Sequence, residues 1–369
     1  MDRRSYTFEE LESKYKNFKI PSCSIMVNGK DLLKSVFENT GALTSVEVEL
    51  SADGTAGGCS FTIAGLYNYE HSKWEHNALE VIKPGAKLSV SIGYSSSLKE
   101  IFFGYVDEYT IDFQQDGSPQ LTVSGLDGLG YLMSFREPLY GGNWKAAEIV
   151  KSILRKSVDA GFAKEITIGT LPDFETPILK EQIDDWKFLN LMAQRCGVSL
   201  FVLDGEMIFD NVISHTTPIL FLNLNKGMIS FQKRVSLAHQ VGRVEVWGRD
   251  VKQKEIKGKA TSLSIGGSGK SAAELVPKLS GAVLREYSEF ARTQEECNWL
   301  AQNRLNSIAM GLVSGSGLWV GLPELLPGYY VKITGGDTAT NGSYFVTKAH
   351  HIFDENGYRT AFEVRGAKV

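Results

Sequence analysis

Cysteine is scarce in this chain, with four in 369 residues: Cys23, Cys59, Cys196 and Cys297. No two of them form a C-x-x-C pair, so no disulfide framework is expected and the composition fits a reducing compartment. No apolar run approaches the length of a membrane span, which predicts no membrane insertion by this chain. The start, "MDRRSYTFEELESKYKNF", has no apolar signal core, so no signal peptide is expected. A basic excess is also missing: the formal net charge is -4, which argues against a dedicated nucleic-acid binder. The six histidines make no H-E-x-x-H spacing. His71 and His76, in "YNYEHSKWEHN", could form a metal pair, although a solvated loop is the plainer expectation. His350 and His351, in "KAHHIF", should point to opposite faces of a strand and so not share a ligand. There is no G-x-S-x-G elbow, and the acidic residues form no constellation. The expectation is no catalytic, cofactor-binding or metal residues, no cofactor, and no enzyme.

One stretch pulls against this. "SIGGSGKS", Ser264 to Ser271, ends like the phosphate loop G-x-x-x-x-G-K-[ST]. The opening glycine of that pattern is replaced by Ser264. The preceding "KQKEIKGKATSL" is charged and weakly periodic, not a buried strand. Pro277 stands soon after, where a helix should run on. The acidic strand end such a loop would need could be sought in "LFVLD", but that segment reads better as one arm of a hairpin. The segment reads as a Gly/Ser-rich flexible linker, and ATP binding is the weakest of three functional readings.

What is present is an ordinary globular composition, 43% apolar and 22% charged, long enough for two to four domains. Residues 1–20 read as a helical arm, with a capping box at Thr7 to Glu10 followed by Phe8, Leu11, Tyr15 and Phe18 at helical spacing. Residues 21–135 read as strands, among them "SVEVELS", "CSFTIAGL", "KLSVSIGY" and "QLTVSGL", separated by turns such as Asp53-Gly54, Pro84-Gly85 and Asp116-Gly117. Residues 136–222 read as a small α+β domain. In it Asn143 should cap a helix with Ala146, Val150, Ile153 and Ser157 on one face. A second helix should bury Trp186, Leu189, Ala193 and Cys196 and stop at Gly197. A hairpin with Asp204-Gly205 at its turn follows. Residues 223–369 return to strands, with a flexible linker at 252–282 and a helix at 293–309 that opens on a second capping box, Thr293 to Glu296.

The two strand regions repeat. Each has a Pro-Gly entry, a short strand, an aromatic–Val pair, an Asp/Asn-Gly turn and a last strand ending in glycine. Val106 and Val346, Phe113 and Phe353, and Gly117 and Gly357 share one offset of 240. The fold class is therefore mainly β with an α+β insertion: two similar β-barrel-like tube modules flanking a small α+β domain.

In order and spacing, "GYVDEYTIDFQQDGSPQLTVSGLDGLGYLM", "DDWKFLNLMAQRCGVSLFVLDGEMIF", "GRVEVWGRD", "TQEECNWLAQNRL" and "LPGYYVKITGGDTATNGSYFVTKAHHIFDENGYRTAFEVRG" resemble the phage late control D family. These are baseplate hub proteins of contractile tails, related to the N-terminal hub part of type VI secretion VgrG. The resemblance covers most of residues 20–369. It implies a homotrimer between a hexameric tail tube and a trimeric spike. It also implies partners in the tail tube or tube-initiator protein, a spike protein and other baseplate proteins, and passage of DNA or a tape-measure protein through a channel. The implied location is the virion tail baseplate or an injection particle, assembled in the host cytoplasm. The sequence ends after the second module without a β-helical spike, so the spike is expected to be a separate protein. The rival reading is a tail-associated cell-wall hydrolase.

Overall fold

The computed structural model describes residues 4–38, 40–115, 117–139, 145–174 and 178–369. An arm of strand β1 (Tyr6–Thr7) and helix α1 (Phe8–Lys14) comes first. Thr7 caps the helix: the Glu10 N–H donates to Thr7 Oγ1 at 3.2 Å, and the Thr7 N–H donates to the Glu10 carboxylate at 2.8 Å. This is the reciprocal box expected from the spacing. Phe8, Leu11 and Tyr15 are buried.

The first module follows as β2 (Pro21–Val27), β3 (Lys30–Asp31), β4 (Ala42–Ser51), β5 (Gly58–Ala64), a short hairpin β6 (Tyr67–Asn68) and β7 (Lys73–Trp74), helix α2 (Ala78–Val81), β8 (Lys87–Tyr94), β9 (Ser97–Asp112) and β10 (Gln120–Leu126). Val46, Val48 and Leu50 alternate into the core with Phe61 and Ile63, Leu88 and Val90, and Leu121 and Val123. Period-two burial of this kind is what a half-buried sheet requires. Six strands run in the order β2-β8-β9-β10-β5-β4, with all neighbours antiparallel. The Asp127-Leu run then seals the module's end: Asp127 accepts the Gly57 N–H at 2.7 Å and the Leu129 N–H at 2.8 Å.

The middle domain contains α3 (Gly128–Leu132), α4 (Ala146–Asp159), β11 (Glu165–Ile168), α5 (Asp185–Cys196), β12 (Ser199–Leu203) and β13 (Glu206–Asp210). Ala146, Val150, Ile153 and Ser157 are all buried. Lys145 occupies the cap position of α4; Asn143, read from sequence as its cap, lies outside the described residues. Helix α5 stops at Gly197, φ 66°, a left-handed conformation that glycine takes without cost. Asp204 and Gly205 both have positive φ at the β12–β13 turn, as a two-residue hairpin of the primed type needs.

Leu189, Ala193 and Cys196 enter this core together with Phe188 and Met192. Trp186 departs from expectation. It is only half-buried, and its indole N–H donates to the Gly54 carbonyl at 2.7 Å. An indole needs an acceptor for that N–H, and the acceptor lies in the β4–β5 turn of the first module. Trp186 therefore packs on the middle-domain core and also ties it to the first module.

The second module contains β14 (Pro218–Asn223), β15 (Met228–Val235), β16 (Arg243–Arg249), β17 (Glu255–Ala260), α6 (Ala272–Leu275), β18 (Val283–Tyr287), α7 (Gln294–Ala309), β19 (Val313–Val320), β20 (Tyr330–Thr334), β21 (Gly342–Asp354) and β22 (Gly357–Gly366). Its six barrel strands run in the order β14-β20-β21-β22-β19-β15. All pairs are antiparallel except β14–β20, which is parallel. The boundary expected at 222 is thus misplaced, because β14 belongs to the second module. The arm also sits there: β1 adds in parallel to β14, with Tyr6 beside Leu220.

Between β15 and β19 lies a small unit in which α7 packs on the sheet β17-β16-β18. It has its own core of Val244, Val246, Ala260, Ala301 and Leu305. The flexible linker expected at 252–282 is corrected here, since that span holds β17 and α6. A side chain at Gly258 would meet the Cys297 backbone at 2.1 Å, so glycine in this charged strand is required by the close passage of α7.

The two modules match strand for strand. In chain order, β2, β4, β5, β8, β9 and β10 correspond to β14, β15, β19, β20, β21 and β22, and both sets have the same neighbour order. Two of the bulges coincide as well. The β9–β10 ladder skips Asp107, and the β21–β22 ladder skips Thr347, at the offset of 240 read from the sequence. The β4–β5 ladder skips Thr44, and the β15–β19 ladder skips Ile229. A bulge bends its strand and sharpens the twist, so matched bulges give the two modules matched curvature.

Candidate assembly interface

The modules are joined by strand pairing. The second half of β21 pairs antiparallel with β4, from Lys348 opposite Ser51 to Phe353 opposite Val46. The first half of β21 pairs with β20 on the same edge. One sheet thus runs from the first module into the second. On the inner face of this seam Val46, Val48 and Leu50 meet Ala349 and His351, all buried. On the outer face Glu47 and Glu49 are exposed beside Lys348 and His350, and His350 Nε2 lies 3.1 Å from the Glu47 carboxylate. The outer face is therefore an acidic strand against a basic one.

The two histidines do point to opposite faces, as strand geometry requires. His351 is fully buried, with Nδ1 2.8 Å from the Tyr358 hydroxyl and 3.3 Å from Thr360 Oγ1. Burial pushes its imidazole down to about 3, helped by the charges of Lys99 and His350. It is held neutral because a charge there would lose its water. Nearby, Glu324 is buried and accepts from Lys14 at 2.6 Å and from the Tyr15 hydroxyl at 2.8 Å. Tyr94 of β8 packs on Tyr358, with ring centroids 5.7 Å apart, and donates to the Gly321 carbonyl at 2.9 Å. Arm, first module and second module meet at this cluster. Its acid went unread in the sequence, although Glu324 stands alone in the apolar run "LWVGLPELLPGYY", and that isolation was the available signal.

Among the described residues, two edges lack a strand where the equivalent edge of the other module has one. Beyond Tyr105, β9 pairs only with β10, which leaves the outer edge of Asp107 to Asp112 without a strand. Strand β15 pairs only with β19. The β9 edge carries exposed Asp107, Glu108 and Asp112; the β15 edge carries exposed Arg234 and Val235. Open edges with apolar residues are templates for pairing with another chain.

The other residues singled out from sequence lie apart from this seam. In "SIGGSGKS" the backbone N–H of Lys270 donates to the Val369 carbonyl at 2.8 Å, and the Val369 N–H returns to the Lys270 carbonyl at 3.0 Å. Ser271 caps the four-residue helix α6 through Glu274. The stretch is tied to the C-terminus, where a free linker was expected. His76 Nε2 lies 2.7 Å from Thr40 Oγ1, and the His71 N–H donates to Asn68. Among the described residues no group of three His, Cys, Asp or Glu side chains is placed to hold a metal, and no helix is long and apolar enough to cross a membrane. The Asp116-Gly117 turn is half outside the described residues, since Asp116 is not among them. Gly357 follows the β21–β22 turn with φ 95°.

The fold is that of phage tail and baseplate-type proteins. A tail protein from Neisseria meningitidis MC58 superposes with a TM-score of 0.67 at 12% identity, covering 94% of this chain and 97% of that one. The prophage MuSo2 43 kDa tail protein of Shewanella oneidensis gives 0.67 at 16% identity, covering 93% and 98%. An E. coli component of the type VI secretion system gives 0.56 at 10% identity, covering 92% and 76%. No curated protein matches the chain in sequence. The family model that matches in sequence is not the late control D family but the Alg8 N-terminal domain, over residues 18–355, and the chain belongs to that family.

Proposed function

We propose that this chain is a structural hub of a contractile-tail baseplate, in a phage or a phage-derived injection particle, as the late control D resemblance of its sequence implies. Three copies form an adaptor between a six-fold tail tube and a three-fold spike. The observation that supports this most directly is the shared strand order and shared bulges of the two modules. Three chains with two like modules each present six like modules around one axis, which can continue a hexameric tube. The tail proteins that share this fold support the same role.

The hub acts through contacts, not catalysis. Its buried polar groups serve structure: Glu324 holds Lys14 and Tyr15, and Asp185 holds Lys156 at 2.7 Å. Its partners are the tube or tube-initiator protein, a spike and other baseplate proteins. The exposed face of the seam, with Glu47, Glu49, Lys348 and His350, lines the channel. A charged, hydrated lining lets DNA or a tape-measure protein slide without sticking. The working location is the virion tail baseplate or injection particle, assembled in the host cytoplasm.

Native mass spectrometry and particle imaging test the reading. The expected result is a trimer with an open ring of six modules; a monomer or dimer overturns it. Incubation with peptidoglycan tests the catalytic rival, and release of soluble fragments would overturn the non-catalytic role.

A further inference from the structure

The small unit between β15 and β19 has two faces of opposite character. Helix α7 packs on the face that carries Val244, Val246 and Ala260. Strand alternation turns Arg243, Glu245 and Trp247 of β16 to the other side. The ladders place Lys259 and Arg285 on either side of Glu245, and Lys257 and Tyr287 on either side of Trp247. Lys259, Arg285 and Tyr287 are exposed there.

We infer that this basic face is a docking surface for an acidic segment of a partner protein, which brings carboxylates to its arginines and lysines and an apolar side chain to Trp247 and Tyr287. The surface belongs to this unit alone and does not depend on the ring of modules.

The face is oversupplied with cations. Glu245 accepts from Arg285 at 3.1 Å, and Lys257 and Arg243 stand 2.9 Å and 3.3 Å from the same carboxylate. Three positive charges meet one negative charge, and that carboxylate is only 5% exposed. Lys259 adds a further charge beside them. The chain as a whole carries -4, so the basic face is a local feature and not a general bias. Glu245 also positions the three cations before anything binds. Part of the side-chain freedom that a partner would have to remove is therefore already lost.

The aromatic pair supplies the apolar part of the contact. Tyr287 is 59% exposed and lies next to Trp247 across the parallel ladder. Tryptophan, tyrosine and arginine are the side chains that most often carry the energy of a protein interface. The occupant lies across the face and not along the β17 edge, because Lys257 and Lys259 on that edge discourage strand addition. A single-stranded nucleic acid fits less well. It binds by stacking successive bases on open rings, but the Lys257 ammonium stands 4.5 Å from the centre of the Trp247 ring, and Tyr287 is left as the open ring of the pair.

Fluorescence anisotropy on the full chain tests the surface with three labelled probes: a short peptide of glutamates around one phenylalanine, the same peptide with lysines for glutamates, and an oligothymidylate of similar length. The glutamate peptide should bind, more weakly as salt is raised, and the lysine peptide should not. Arg285→Glu and Lys259→Glu should each weaken binding about tenfold or more. Lys259 lies outside the contacts of Glu245, so its variant keeps the test valid if Arg285→Glu fails to fold. Tyr287→Ala should weaken binding about fivefold without changing its salt dependence, which a purely ionic contact would not show. Absence of glutamate-peptide binding at low salt, equal binding of the two peptides, or binding that all three substitutions leave unchanged overturns the surface. Tighter binding of the oligothymidylate overturns the protein occupant in favour of a nucleic acid. None of these outcomes bears on the trimer, which native mass decides separately.

Discussion

The two modules share a strand order and differ in what they let through their turns. Between β4 and β5 the first module makes a short turn that reaches Trp186 of the middle domain through Gly54. At the equivalent place, between β15 and β19, the second module carries a folded unit with its own core. The sixth strand differs as well: β2 runs antiparallel to β8, but β14 runs parallel to β20 and takes β1 of the arm on its far side. What stays constant is the order of the five-strand antiparallel ladder and two of its bulges. The ladder fixes the shape of the wall, and the turns and the sixth strand are where the molecule adapts to its neighbours.

Substitutions at matched positions sharpen this comparison, and the largest effect is expected in the closed seam. Leu50→Ala should cost about 2–5 kcal/mol in denaturant unfolding, the range for a buried leucine, since Leu50 sits against Ala349. Its counterpart Val235→Ala should change the stability of the separate chain by no more than about 0.5 kcal/mol. Equal losses at the two positions would break the equivalence of the two edges.

Next comes His351, whose counterpart in the first module is Ile111. Its folded-state value of about 3 lies below the ordinary 6.5, so the unfolded chain takes up the proton first as pH falls. The contribution is complete above 6.5 and is lost on acidification toward about 3. His351→Ile should remove that part of the acid sensitivity, a difference on the order of 5 kcal/mol at the acid end. Parallel stability-versus-pH curves for the two proteins would show instead that the site does not titrate as the structure requires.

A smaller effect is expected where the first module's turn meets the middle domain. Trp186→Ala should cost about 1–3 kcal/mol, the loss of a hydrogen bond and a half-buried ring, and amide exchange should quicken around Gly54. Unchanged protection there would show that the contact does not hold the turn. The smallest effect belongs to Lys270→Ala. The Lys270 backbone, not its exposed side chain, pairs with Val369, so unfolding should shift by less than about 0.5 kcal/mol. A larger shift, or ATP binding that the substitution abolishes, would return "SIGGSGKS" to the list of sites.

The hairpins β9–β10 and β21–β22 were legible in sequence because they are continuous. Val106 and Val346, or Phe113 and Phe353, keep one offset along the whole stretch. The equivalence of β4 with β15 and of β5 with β19 was hidden, because the inserted unit changes the spacing between the two strands of the second pair. "PILFLN" was assigned to the wrong domain because a local apolar pattern names a strand but not its sheet. "EIKGKA" looked like linker because an edge strand under a close helix needs glycine and tolerates lysine. At the seam the alternation of Val46, Glu47, Val48 and Glu49 gave its two faces, but not the partner, which is set by pairing across three hundred residues. Trp186 lies on the expected helix and packs on the middle-domain core, but helical periodicity says nothing of the acceptor for its indole N–H in another domain.

The coincident bulges bear on how each wall responds to mutation. A substitution changes a letter but never the number of residues along a strand, so it cannot add or remove the extra residue of a bulge. Only an insertion or deletion can do that, and inside a paired strand such an event turns every later side chain to the wrong face. Bulge positions are therefore the part of each wall that point mutation is least able to change. Asp107 and Thr347 have no chemistry in common, yet they mark the same step in the two modules.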